Sequence, residues 1–431
     1  MSARGRKTGI GRRLLELLKD VLIAALVVVV AVLTILALPR QLLLQMPGLT
    51  GALRPLAGVL GFEEAELAYT APPAEHPLSS AAQPVAVTLR NTAGRRSAQY
   101  DFDALDTLNG QLGMFLAQAL DSASELQRTE QTEVLDALGR MSVAFCYPDR
   151  ISPQTAAAWL SVRAPQAQDA QWYILAQEGE AVRLYLVGEG CFTAQTSLPA
   201  GMLAAQLESY TTDGSFFAFE DRTGRYETLD ALSLITEPSV YEGSFFNPCD
   251  ARFIASLASR LGFNPYGDAR YVDNSGATHF TETACALSVS AQGSAELNVL
   301  SEDARFAAES AEQTDRIEAA RALLAELSGD ALGEARLYLR SYREDGEDAV
   351  CTFACYLAGV EISEPDGPAE VRFHGAQITS ARVRVRTYSV SAVQQELLRS
   401  AQAAAITAPG SALRLLYIES SDGQLLVNWK K

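Results

Sequence analysis

Lysine is nearly missing from this chain: beyond residue 20 it occurs only at Lys430 and Lys431, so arginine supplies almost all the positive charge there. Histidine is scarce too, at His76, His279 and His374. The first lies in a proline-rich stretch and the others in apparent strands, and none has a companion at metal-ligand spacing. The sequence contains no HExxH, GxSxG, P-loop or GxGxxG pattern. It therefore carries no signature of a zinc protease, a hydrolase nucleophile elbow or a nucleotide cradle. Carboxylates are abundant, but no spacing singles out an acid/base pair. The reading is of a non-enzymatic chain with no catalytic residue, no cofactor and no metal.

Six cysteines (Cys146, Cys191, Cys249, Cys285, Cys351 and Cys355) are few for 431 residues. Cys351 and Cys355 fall in one strand pattern, where four residues separate Cα atoms by roughly 13 Å, beyond disulfide reach. Most of the six are expected to be buried, reduced, small apolar side chains.

Charge is unevenly spread. Residues 1–20 hold six basic and two acidic side chains, a net of +4 against −17 for the whole chain. Residues 331–431 are close to neutral, with eleven Lys/Arg and twelve Asp/Glu, which concentrates −20 on residues 21–330. Such a surface repels nucleic acid and anionic lipid head groups, so no nucleic-acid partner is expected.

What the chain does have is Val21 to Leu38, eighteen residues without a charge. As a helix they reach about 27 Å, close to the hydrocarbon thickness of a bilayer. A cleaved signal peptide shares the basic start, but its apolar region usually spans about 7–15 residues. The six basic residues ahead hold that end in the cytoplasm. The expected layout is a cytoplasmic tail (1–20), a transmembrane helix (21–38), and a juxtamembrane stretch with a proline-rich linker (39–84). Everything beyond the span is extracytoplasmic, and the protein is a single-pass resident of the cell membrane.

Beyond the linker, helical spacing alternates with period-2 strands and with turns such as Asp213-Gly214, Asp345-Gly346 and Asp422-Gly423. Helices are expected at 103–120, 132–138, 153–160, 203–207, 250–261, 314–327 and 391–404. The fold class is α+β: a single N-terminal transmembrane helix followed by two or three extracytoplasmic domains of helices packed on antiparallel meander sheets. The expected boundaries are 85–198, 199–305 and 306–431.

The C-terminal cadence resembles the extracytoplasmic YycH/YycI family. It is carried by the strand ending in Leu357-Ala358-Gly359-Val360, the Asp366-Gly367 turn, the entry from Gly375 to Ile378, and a last strand ending in Trp429. The stretch from Leu261-Gly262-Phe263 to Tyr271-Val272-Asp273 is similar to the family's central region. The resemblance implies a membrane-anchored accessory protein in a two-component signal-transduction system. It implies contact with the sensor histidine kinase that controls cell-wall metabolism, and with a related anchored regulator. The family pattern holds no catalytic residues to carry over. The rival readings are a cell-wall enzyme with a site assembled from scattered carboxylates, and a passive binding module for a wall ligand or a protease.

Alternation in the C-terminal strands assigns Leu337, Leu339, Cys351, Phe353, Cys355, Leu357, Val371, Phe373, Val383 and Val385 to a core face. The opposite face then carries Arg336, Tyr338, Arg340, Tyr342, Tyr356, Arg372, His374, Arg382, Arg384 and Arg386. Seven of these, Arg336, Tyr338, Arg340, Arg372, Arg382, Arg384 and Arg386, form the candidate partner-contact face, because arginine and tyrosine are enriched where proteins meet. An acidic partner, or an acidic neighbouring domain of the same chain, is the expected occupant.

The topology is checked by shaving intact cells with protease. Residues after Pro39 are expected to be digested while the protein stays in the membrane fraction; a mature N-terminus at or beyond Leu38 would make the segment a signal peptide instead.

Overall fold

The computed structural model describes residues 83–363, 367, 369–420 and 422–430. The expected tail, transmembrane segment, juxtamembrane stretch and nearly all of the linker lie outside them. Among the described residues no helix is long and apolar enough to cross a membrane. These residues form a mixed α+β structure of two large, mainly antiparallel sheets and seven helices.

The first sheet has seven strands. In spatial order they are Gly94–Gln99, Ala86–Asn91, Ser142–Ile151, Ala170–Glu178, Ala181–Gly188, Cys191–Pro199 and Gln127–Thr129, every neighbour antiparallel. Its central strands are apolar on both faces because both faces are covered. Val143, Phe145, Tyr173 and Leu175 meet Leu105, Leu108, Leu112 and Leu116 of helix α1 (Phe102–Ser122). The alternate residues Ala144, Ile174 and Tyr185 meet Val134, Ala137 and Leu138 of α2 (Gln131–Leu138). The Asp101 carboxylate caps α1, accepting from the amides of Asp103 and Ala104 at 3.0 and 3.1 Å. Ser152 caps α3 (Pro153–Trp159), which has proline in its first turn, and α4 (Ala200–Leu207) follows the last long strand.

The second sheet has thirteen strands and takes in both later parts of the chain. Ser294–Val299, which ends the meander begun at Arg270, pairs with Gln377–Arg384 of the C-terminal part. The stretches expected as separate central and C-terminal domains thus share one hydrogen-bonded sheet. The physical reason is the edge: the meander's last strand would otherwise leave a row of backbone donors and acceptors unpaired. One pairing is parallel, Val360–Ser363 with Leu415–Glu419. Helix α5 (Ala251–Arg260) and α6 (Gln313–Ser328) pack together on this sheet, and α6 buries Ile317, Ala320, Leu324 and Leu327 as its spacing predicts.

The expected helix over 391–404 is corrected. Thr387–Gln394 is a strand, paired with Tyr241–Phe246, and only Ser400–Ala404 (α7) is helical. The segment has good helical spacing, but a ladder of backbone bonds to a distant strand outweighs a propensity worth tenths of a kcal/mol per residue.

The two sheets meet over one continuous core. Leu357 and Val360 flank a two-residue hairpin turn, Ala358-Gly359, with both central residues at positive φ (49° and 79°). That turn presses on the first half of the molecule at Tyr100, itself at φ 63°. A Cβ on Gly359 would lie 2.7 Å from Tyr100 Cα and 2.8 Å from Asp101 N. Beside it the Arg336 guanidinium grips both carboxylate oxygens of Asp106 in α1 at 2.8 Å and lies 4.1 Å from the centre of the Phe102 ring.

Gly359→Ala is therefore expected to cost about 2–4 kcal/mol, from a left-handed backbone plus backbone overpacking. Ala358→Gly at the same turn should be neutral or nearly so. Chemical denaturation of the two variants checks the pair.

Candidate functional site

The ten core-face residues named above are all buried. The opposite face is not one surface, and its residues divide into three groups. Arg336 is engaged by Asp106, and Tyr338 is wholly buried, stacked on Phe102 at 6.3 Å and edge-on to buried Tyr356 at 4.9 Å. This end of the strip is the junction between the sheets, so its acidic partner is α1 of the same chain.

At the other end Arg384 pairs with Glu419 at 2.8 Å, with both side chains largely buried. Arg386 lies beyond the strand's end, is buried, and sits over the Phe245 ring. The expectation that Arg384 and Arg386 project freely from the core is corrected: Glu419 covers Arg384 at the end of its strand, and the chain leaves the sheet before Arg386, so the alternation lapses there.

Only the middle is open. Arg372 is exposed and bonds Glu370 at 2.7 Å, and exposed Arg382 stands in register between Glu296 and Glu370. Arg340, at a bulge between Leu339 and Ser341, reaches Glu361 at 3.4 Å. His374 lies beside Asp348 and Glu347, and its bond to Asp348 raises its pKa. Tyr342 accepts a bond from buried Arg316. The open arginines thus alternate with glutamates across the strands, forming a nearly neutral ladder rather than a positive strip.

Two other features hold unassigned side chains. The first is a cavity of about 80 Å³ at the junction, built by both sheets. Gln99, Tyr100 and Trp172 come from one side and Tyr356, Glu361 and Arg414 from the other. The Gln99 side-chain oxygen and the Tyr100 hydroxyl are buried with no hydrogen-bond partner among the described residues. The Leu415 backbone lies near that hydroxyl without hydrogen-bond geometry. Burial pushes the Tyr100 phenol up to about 12, so it stays a neutral donor. Cys146 also lines the cavity; burial pushes its thiol up to about 12, which leaves it protonated and a poor nucleophile. Sequence pattern missed this site, although an arginine directly before the apolar run Leu415-Leu416-Tyr417-Ile418 was a legible signal.

The second is an open hollow of about 800 Å³ between the segment after Gln394 and the last two strands. Leu398, Ile406 and Ile418 line it and are each about half exposed (50%, 52% and 46%). Trp429 closes one side and donates from Nε1 to the Leu398 carbonyl at 2.9 Å.

All six cysteines are free thiols. Among the described residues no three His, Cys, Asp or Glu side chains converge as a metal site. Comparison of the chain with protein-family models, with curated proteins and with solved structures finds no match in any of the three.

The geometry separates two charge reversals on one strand. Arg382→Glu, on the open ladder, is expected to change stability by at most about 1 kcal/mol. Arg384→Glu sets a carboxylate against buried Glu419 and is expected to cost about 3–5 kcal/mol. Thermal and urea unfolding of the single variants checks the contrast.

Proposed function

We propose that this chain is a non-enzymatic, membrane-anchored extracytoplasmic regulator that acts by direct contact with a membrane protein. The uncharged run Val21–Leu38 behind six basic residues supports the anchoring and the orientation. The partner class follows from the resemblance to the YycH/YycI family: a sensor histidine kinase governing cell-wall metabolism, together with a related anchored regulator.

The observation that carries the contact reading is the hollow around Leu398, Ile406 and Ile418. Half-exposed aliphatic side chains gathered beside a tryptophan are what a protein contact buries, and a contiguous apolar patch is costly to leave in water. It offers a better contact than the Arg372–Arg382 ladder, whose charges are already matched. An apolar segment of the kinase's extracytoplasmic part is the proposed occupant, with the anchor holding both proteins in one membrane.

Leu398→Asp with Ile418→Asp is expected to leave the fold intact, because both side chains already face water, and to weaken kinase capture by about 10-fold or more. Site-specific crosslinking from residue 406 in membranes, with kinase output read in parallel, tests this. Unchanged capture and unchanged output in a folded double variant would refute the contact.

A further inference from the structure

The junction cavity carries chemistry that the contact reading does not use. Arg414 is half-buried at its wall and has no ion pair or hydrogen bond from its guanidinium among the described residues. The neighbouring Glu361 carboxylate is directed to Arg340 at 3.4 Å. The Arg414 guanidinium nitrogens keep contact with water, so an anion entering the hollow can reach them. Two fully buried arginines are densely partnered, whereas buried Arg386 bonds only the Val385 carbonyl among the described residues. Arg316 donates to the Gly375 and Glu347 carbonyls, to Tyr342 and to Glu344, and Arg95 bonds Glu220 and the Leu138 carbonyl. Arg414 faces a hollow that also holds the unpartnered Tyr100 hydroxyl and Gln99 side-chain oxygen.

We infer that this hollow binds a small carboxylate, with its two oxygens on the Arg414 fork and a third hydrogen bond from Tyr100. Each element of that class follows from the lining. The fork of a guanidinium matches two coplanar oxygens, and Tyr100 adds a neutral donor. Gln99 presents either its oxygen or its NH₂ group, since a rotation of the amide exchanges them. Trp172, Tyr356 and Leu415 give apolar walls for a short hydrocarbon body. A volume of about 80 Å³ admits a carboxylate and a few carbons, well below a sugar or nucleotide site. The charge is limited to one. Glu361 and Asp230 line the same hollow, so a phosphate dianion would meet two carboxylates for one cation.

The position gives the ligand a consequence. Gln99, Tyr100 and Trp172 belong to one sheet region and Tyr356, Glu361 and Arg414 to the other, so an occupant bridges the junction and stabilises it in proportion to its affinity. The carboxylate has two sources, a free short-chain acid or the carboxyl terminus of a peptide, and the chemistry on the cavity side is the same for both.

The test uses the full-length chain in detergent. Propanoate serves as the free acid and N-acetylalanine as the peptide terminus, with propanamide and inorganic phosphate as controls, read by calorimetry and thermal unfolding. Saturable binding of at least one acid is expected, with a rise in melting temperature and no response to the amide. The tighter acid identifies the source. Arg414→Met should weaken binding by about 10-fold or more, and Tyr100→Phe, which removes only one O–H, by about 3–10-fold. Tyr100→Phe keeps the test decisive should Arg414→Met fail to fold. The site is refuted if neither acid binds saturably, if folded Arg414→Met or Tyr100→Phe binds as the parent does, or if phosphate binds as tightly as the acids. Kinase capture is a separate measurement, so failure here leaves the contact surface standing, and the reverse.

Discussion

The close approach of the Ala358-Gly359 turn to the backbone of Tyr100 and Asp101 is the constraint on which the rest of the architecture turns. A hairpin from the large sheet presses there against the start of α1, with no side chain between the two backbones. That contact fixes the distance between the sheets. The distance brings Arg336 within reach of Asp106 and closes Tyr338 and Tyr356 under Phe102. It also leaves the pocket walled by Arg414. Only glycine gives both the left-handed φ and the missing Cβ that the approach requires.

Electrostatics inside the described structure follow from the near-absence of lysine. Arginine holds several partners at once in a planar fork, and the fold uses it as a many-armed clasp. Arg316 joins α6 to three separate points of the large sheet, and Arg95 with Arg90 binds Glu220 across more than a hundred residues of sequence. A lysine in such a place has three donors rather than five and no planar fork, so it would satisfy fewer of these acceptors. The acidic excess is thus drawn on internally, which is why so few arginines of the C-terminal sheet are left to face a partner.

The contact hollow and the cavity lie on different parts of the same sheet. The parallel pairing of Val360–Ser363 with Leu415–Glu419 connects them. Glu361 and Arg414 stand at the cavity end of this pair, and Ile418 reaches the hollow at the other. Arg414 thus stands beside a strand whose far end is part of the proposed contact surface.

Local pattern was enough for most of the elements. The helix over 314–327, the Ser152-Pro153 start of α3, the hairpin turns, and the core face of the C-terminal strands all rest on neighbours within a few residues, so periodicity and capping chemistry expose them in the sequence. What only the tertiary structure decided involves partners distant in the chain. Ser294–Val299 joins Gln377–Arg384 to make one sheet of two expected domains, and Tyr241–Phe246 draws Thr387–Gln394 out of a helical pattern. Alternation places a side chain on a face but is blind to what covers that face. Hence Arg336 and Arg386, alike in the sequence, end in a clamp on α1 and in a buried berth over Phe245. Arg414 shows the same limit most clearly: that its guanidinium has no partner among the described residues is a property of the space between two sheets, and no single strand encodes it.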